Sequence, residues 1–135
     1  MLNQTEFKTV TAGTRKTILV DEPNSTAFSC MVANTGISAD DDGKKIVKAG
    51  TPLAGDLTVR GTAFVKATTT PGEQGALGSS NAVGILLHDV DVTSGTKNAQ
   101  VVVFGFIDLN KLESDVQALI DAETKAALKM IQFVK

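Results

Sequence analysis

The chain has 135 residues and a mass of 14.1 kDa, enough for one domain that buries roughly two-thirds of its unfolded surface. Apolar residues supply 42% and charged residues 21%, which excludes wholesale disorder, and the net charge of -2 with no basic patch removes the main source of affinity for nucleic acid. The longest apolar run, residues 101–107, falls far short of the ~20 residues that span a bilayer, so no membrane partner is expected.

Residues 1–20 open the chain with Lys8, Arg15 and Lys16 against Glu6, a mildly basic start. Residues 1–11 lack the basic and apolar regions of a secretory signal. Residues 1–14 show no sustained period and predict an extended N-terminal arm, with residues 16–20 as the first strand. Pairing with period two would put Leu2, Gln4, Glu6, Lys8 and Val10 on one face and Thr5, Phe7 and Thr9 on the other.

Residues 21–110 are acidic and read as a β domain rich in Thr, Val and Gly. Strands are predicted over residues 28–33, 45–47, 57–59, 62–67, 83–87 and 100–107. Turn chemistry separates them, including Asp40-Asp41-Asp42-Gly43 and Ala49-Gly50-Thr51-Pro52. Alternation in residues 62–67 places Ala63, Val65 and Ala67 opposite Thr62, Phe64 and Lys66. Residues 83–87 and 101–107 do not alternate, which predicts burial on both faces. Residues 68–81, a Gly/Ser/Thr stretch, are expected to be an irregular loop. Short strands with frequent turns favour a small sandwich or barrel-like domain.

Residues 111–135 differ in kind. Leu112, Val116, Leu119, Ile120, Ala127, Met130, Ile131 and Val134 fall at helical spacing and predict one amphipathic C-terminal α-helix. Asn110 would cap it, with Glu113 completing a capping-box-like pair. A helix of roughly 25 residues spans about 37 Å, long for so small a domain. It either crosses the sheet or meets copies of itself. Leu112, Val116, Leu119, Ile120, Met130 and Ile131 are therefore the expected oligomer interface.

Candidate chemistry is sparse. The chain has one histidine, His88, one cysteine, Cys30, and neither Trp nor Tyr. A lone cysteine makes no internal disulfide, and no Cys/His cage for zinc is available. Asp89 and Asp91, preceded by His88, could form a metal-binding Asp-x-Asp, but such sites recruit further carboxylates. Strand-end acids accepting hydrogen bonds are the better reading. A calcium loop opening at Asp40 would need Glu where Thr51 stands, so that segment reads as a solvated turn. Cys30, in an apolar run, reads as an inert core thiol. No cofactor, no metal and no catalytic residue are expected.

Residues 82–112, AVGILLHDVDVTSGTKNAQVVVFGFIDLNKL, and residues 45–53, KIVKAGTPL, resemble the head decoration proteins of tailed bacteriophages. The shared pattern is an A-G-T-P-L entry, an A-V-G-I-L strand, a D-V-D, a glycine-containing turn and a V-V-V-x-G strand. The match covers about half the chain; a head-fibre-type relative fits the same residues. The resemblance implies a non-enzymatic virion protein that sits on the capsid exterior as a homotrimer, assembled in the host cytoplasm. The major capsid protein would be its partner. The arm would grip the capsid by strand addition, and three arms would multiply the affinity. Leu2, Phe7, Lys8, Val10, Arg15 and Lys16 are then the expected capsid-binding residues, with Phe7 as anchor. The alternative is a fibre or adhesin-type module for host-surface binding, disfavoured by the absence of Trp and Tyr.

Overall fold

A computed structural model describes residues 17–135. The expected capsid-binding residues Leu2, Phe7, Lys8, Val10, Arg15 and Lys16 lie outside the described residues. Among the described residues the chain is mainly β, with 34% strand against 13% helix, as its composition and turn spacing predict.

The strands are β1 (Thr26–Val32), β2 (Ile46–Val47), β3 (Pro52–Ala54), β4 (Val65–Lys66), β5 (Thr69–Thr70), β6 (Ser79–Ser80), β7 (Gly84–Leu86), β8 (Val90–Asp91), β9 (Lys97–Asp108) and β10 (Ile131–Val134). Two short helices, α1 (Ser114–Gln117) and α2 (Ala122–Ala127), lie between β9 and β10. The main sheet runs β1-β9-β7-β3-β4, with β10 also paired to β9; β2 pairs β8 and β5 pairs β6. Among the described strand pairs only β9–β10 is parallel.

β9 organises the molecule. Its first half pairs β1 on one side and β7 on the other. Its second half is flanked by residues 18–20, which form an isolated bridge from Leu19 to Ile107, and by β10, in register from Ile131↔Gly105 to Val134↔Asp108. The strand expected over residues 16–20 is thus reduced to that bridge and its two hydrogen bonds, Val20 N–H to the Phe106 carbonyl at 3.0 Å and Asp108 N–H to the Ile18 carbonyl at 2.9 Å.

The register between β1 and β9 slips between Thr26↔Phe104 and Ala27↔Val102, leaving Val103 as the extra residue of a bulge. Gly105 then adopts φ 139°, a backbone conformation that side-chain-bearing residues rarely take. Before the bulge, Val101 and Val102 are both buried, as the missing alternation predicts. After it, Gly105 and Ile107 face inward while Phe104 and Phe106 stand 43% and 44% exposed. Two-faced burial of residues 101–107 is therefore corrected for the second half of the run.

The single C-terminal helix is also corrected. Asp121 takes an extended backbone and caps α2, its carboxylate accepting from the Thr124 N–H at 2.8 Å. Burial pushes that carboxyl up, and hydrogen bonds from Thr124 and Thr69 more than offset it, leaving it below the ordinary range. Asp is a weak helix former and a strong cap, so helix breaks before it and restarts after it. Beyond Leu128 the chain pairs with β9, because a ladder there satisfies backbone groups that would otherwise line an open edge. Asn110 caps nothing: it lies in a 3₁₀ turn (Leu109–Lys111) capped by Asp108.

Two further segments differ from expectation. Residues 57–59 are a turn, because the Asp56 carboxylate accepts both the N–H and the hydroxyl of Thr58. The supposed loop at residues 68–81 carries its own ribbon, β5 paired with β6. In residues 62–67 the face shared by Thr62 and Lys66 includes Phe64, which is fully buried and bridges to Val32.

Two apolar clusters fill the interior. Val32, Leu53, Phe64, Leu86 and Val101 belong to one, with Cys30 at its edge. Ile18, Ile85, Ile107, Val116, Leu128 and Ile131 belong to the other, which joins the start of the described chain to its end.

Candidate functional site

The two stretches that carry the resemblance meet in the sheet. Pro52 pairs with Ile85 and Leu53 with Gly84. Gly50 N–H donates to the Leu86 carbonyl at 2.8 Å, and Leu86 N–H returns to the Thr51 carbonyl at 3.0 Å. Gly84 has a steric reason: a Cβ there would collide with the Val101 side chain and the Val102 carbonyl. The motif residues are thus a packing unit between β3, β7 and β9.

The strand-end acids act as hydrogen-bond acceptors. The Asp89 carboxylate accepts from the Ala49 N–H at 2.7 Å, tying the end of β7 to the turn after β2. Asp91 accepts the hydroxyl and N–H of Thr93, which hold its carboxyl below the usual range. Asp40 accepts from Asp42 N–H and Lys44 N–H at 2.9 Å each, closing the acidic turn on itself. Among the described residues, no group of three or more His, Cys, Asp or Glu is placed to hold a metal ion.

Cys30 lies on β1, 5% exposed. Burial pushes its thiol up, and the nearby Arg60 guanidinium only partly counters that. Arg60 donates to the Ser29 carbonyl at 3.0 Å and stacks over Phe28 at 5.3 Å from the ring centre. It thereby occupies an outer-edge carbonyl of β1 and blunts that edge against strand pairing. His88 lines a separate cleft with Ile18, Ala49 and Asp89, so the fold places thiol and imidazole in different surroundings.

A groove of about 510 Å³ runs between β2 and α1. Lys48 spans it, donating to Asp115 at 3.0 Å and Glu113 at 3.3 Å. These bonds, Asp115 first, push the ammonium up and hold the Asp115 carboxyl down. No spacing in the sequence signals this link, because 65 and 67 residues separate the partners. The groove's wall carries both signs of charge, which gives it no preference for an anionic or a cationic ligand.

Of the residues expected at an oligomer interface, Leu112, Val116, Ile120 and Ile131 are buried in the chain's own core. Leu119 is half-buried and Met130 is 64% exposed. The helical stripe therefore serves mostly the monomer. Sequence reasoning missed Phe104 and Phe106, which an unbroken alternation-free run had placed inside.

Among the described residues, no helix is long and apolar enough to cross a membrane. No family model matches the chain, and no curated protein matches it.

Proposed function

We propose that this chain is a non-enzymatic virion structural protein that binds the outer surface of a phage capsid as a trimer, decorating and stabilising the head. The observation that carries this reading is the joining of residues 45–53 and 82–112, the two stretches resembling head decoration proteins, into one hydrogen-bonded unit. Its polar groups close turns and strand ends and its glycine allows strands to approach, which suits a scaffold whose work is done by surfaces. The partner is the major capsid protein, and the place is the capsid exterior after assembly in the host cytoplasm.

The test is to mix purified protein with undecorated, expanded heads of the phage that encodes it and to sediment the particles. Co-sedimentation to saturation is expected, and protein left wholly in the supernatant overturns the reading. Deleting residues 1–14 should abolish co-sedimentation while leaving self-association intact. Wild-type occupancy by the truncated protein would move the grip to the described domain.

A further inference from the structure

The outward face of the second half of β9 groups several exposed apolar side chains. Phe104 and Phe106 are two residues apart and share a face. The parallel register sets Gln132 beside Phe106 and Val134 beside Asp108, and it carries Met130 to the level of Phe104. On the other flank the Val20 N–H donates to the Phe106 carbonyl, which sets Val20 opposite Phe106. Val20, Phe104, Phe106, Met130 and Val134 are each between 39% and 64% exposed.

An aromatic side chain carries roughly 200 Å² of surface, so these five residues together present on the order of 400 Å² of apolar area. That is within the size of the largest patch on an ordinary monomer, which is often functional. A standard interface takes about 800 Å² from each partner, somewhat over half of it apolar. The patch nearly fills that apolar share, and neighbouring Thr26 and Gln132 begin the polar rim. The five residues and these two neighbours carry no charge, and Asp108, beside Val134, is an acid, so an anionic polymer or lipid headgroup finds nothing here to pair with.

We infer that this face is where copies of the chain meet. Turned toward a three-fold axis, this face of each copy meets the same face of the other two, and the aromatics of all three are covered together within a closed assembly. The inference rests on the self-association in the proposed function and not on the capsid. It moves the contact from the helical stripe to the sheet face, keeping only Met130 of the residues first expected.

Light scattering on size-separated protein, across a micromolar concentration series, tests it. The wild type should run as a trimer of about 42 kDa, three times 14.1 kDa. The double variant Phe104→Ser/Phe106→Ser, and separately Met130→Glu, should raise the dissociation constant roughly a hundredfold or more and yield monomer. Circular dichroism should show both variants folded, since the substituted side chains are exposed in the single chain. Val59→Ser and Leu77→Ser remove apolar residues that are 51% and 57% exposed but lie off this face, and should leave the mass unchanged. If Met130→Glu and the double variant both keep the oligomer, the face is wrong and self-association stands. A wild type that is monomeric throughout overturns both.

Discussion

The two halves of β9 belong to one strand and are closed in different ways. Residues 97–102 pair with β1, residues 101 and 102 also with β7, and Val101 and Val102 are buried together. Residues 105–108 lie between the Leu19 bridge and β10, with Ile107 buried and Phe106 outside. The change falls at the Val103 bulge and the positive φ of Gly105. One extra residue and one glycine therefore decide which side chains the core keeps and which stand exposed.

Substitution in the cluster that Val101 of the first half joins should have the largest effect. Phe64 is fully buried against Leu53, Leu86 and their neighbours, so Phe64→Ala should cost about 3–5 kcal/mol in urea unfolding. The cluster that Ile107 of the second half joins should be more tolerant. Ile131→Ala, in the last strand, should cost about 2 kcal/mol, the lower end for such truncations. Equal losses would mean that the two halves are closed equally well, and the contrast would fail.

Asp121→Ala should cost about 1 kcal/mol by the same measurement and Asp121→Asn less, since asparagine also caps helices. A neutral Asp121→Ala would mean that the break between α1 and α2 is held by packing alone. The smallest effect is on pH dependence. Thr58 holds the Asp56 carboxyl low, Thr93 that of Asp91 and Lys48 that of Asp115. The unfolded chain binds protons at these positions first as pH falls. The melting temperature should hold down to the ordinary Asp value of about 4 and decline below it. Lys48, raised by Asp115 and Glu113, contributes fully below the ordinary lysine value of about 10.4 and loses its share as pH climbs through its raised value. Melting curves of Lys48→Met against wild type at both extremes isolate that pair.

Much of the candidate site's chemistry was legible in residue types. Asp91 was readable as a strand-end acceptor, Asp40 as the opening of a turn and Cys30 as a core thiol, because each follows from short-range hydrogen bonding or local apolar context. Asp89 was readable as an acceptor too, but its partner Ala49 lies 40 residues away and only the fold supplies it. Lys48 with Glu113 and Asp115, and Arg60 with Ser29 and Phe28, were not, since those contacts join residues far apart in sequence.

By itself the sequence determined a β-rich chain, the positions of β1, β2, β7 and β9, and the burial of β7 on both faces. Period, turn residues and β-branched content are local properties, and the strands inherit them. Only the tertiary structure decided the end of the chain and the outward face. The apolar spacing of residues 112–134 fits a helix until Asp121 is needed as a cap and residues 131–134 are needed to pair the second half of β9. Whether Phe104 and Phe106 point in or out depends on a register slip against β1. A slip of one residue exchanges the two faces of a strand, and no local preference within β9 records it.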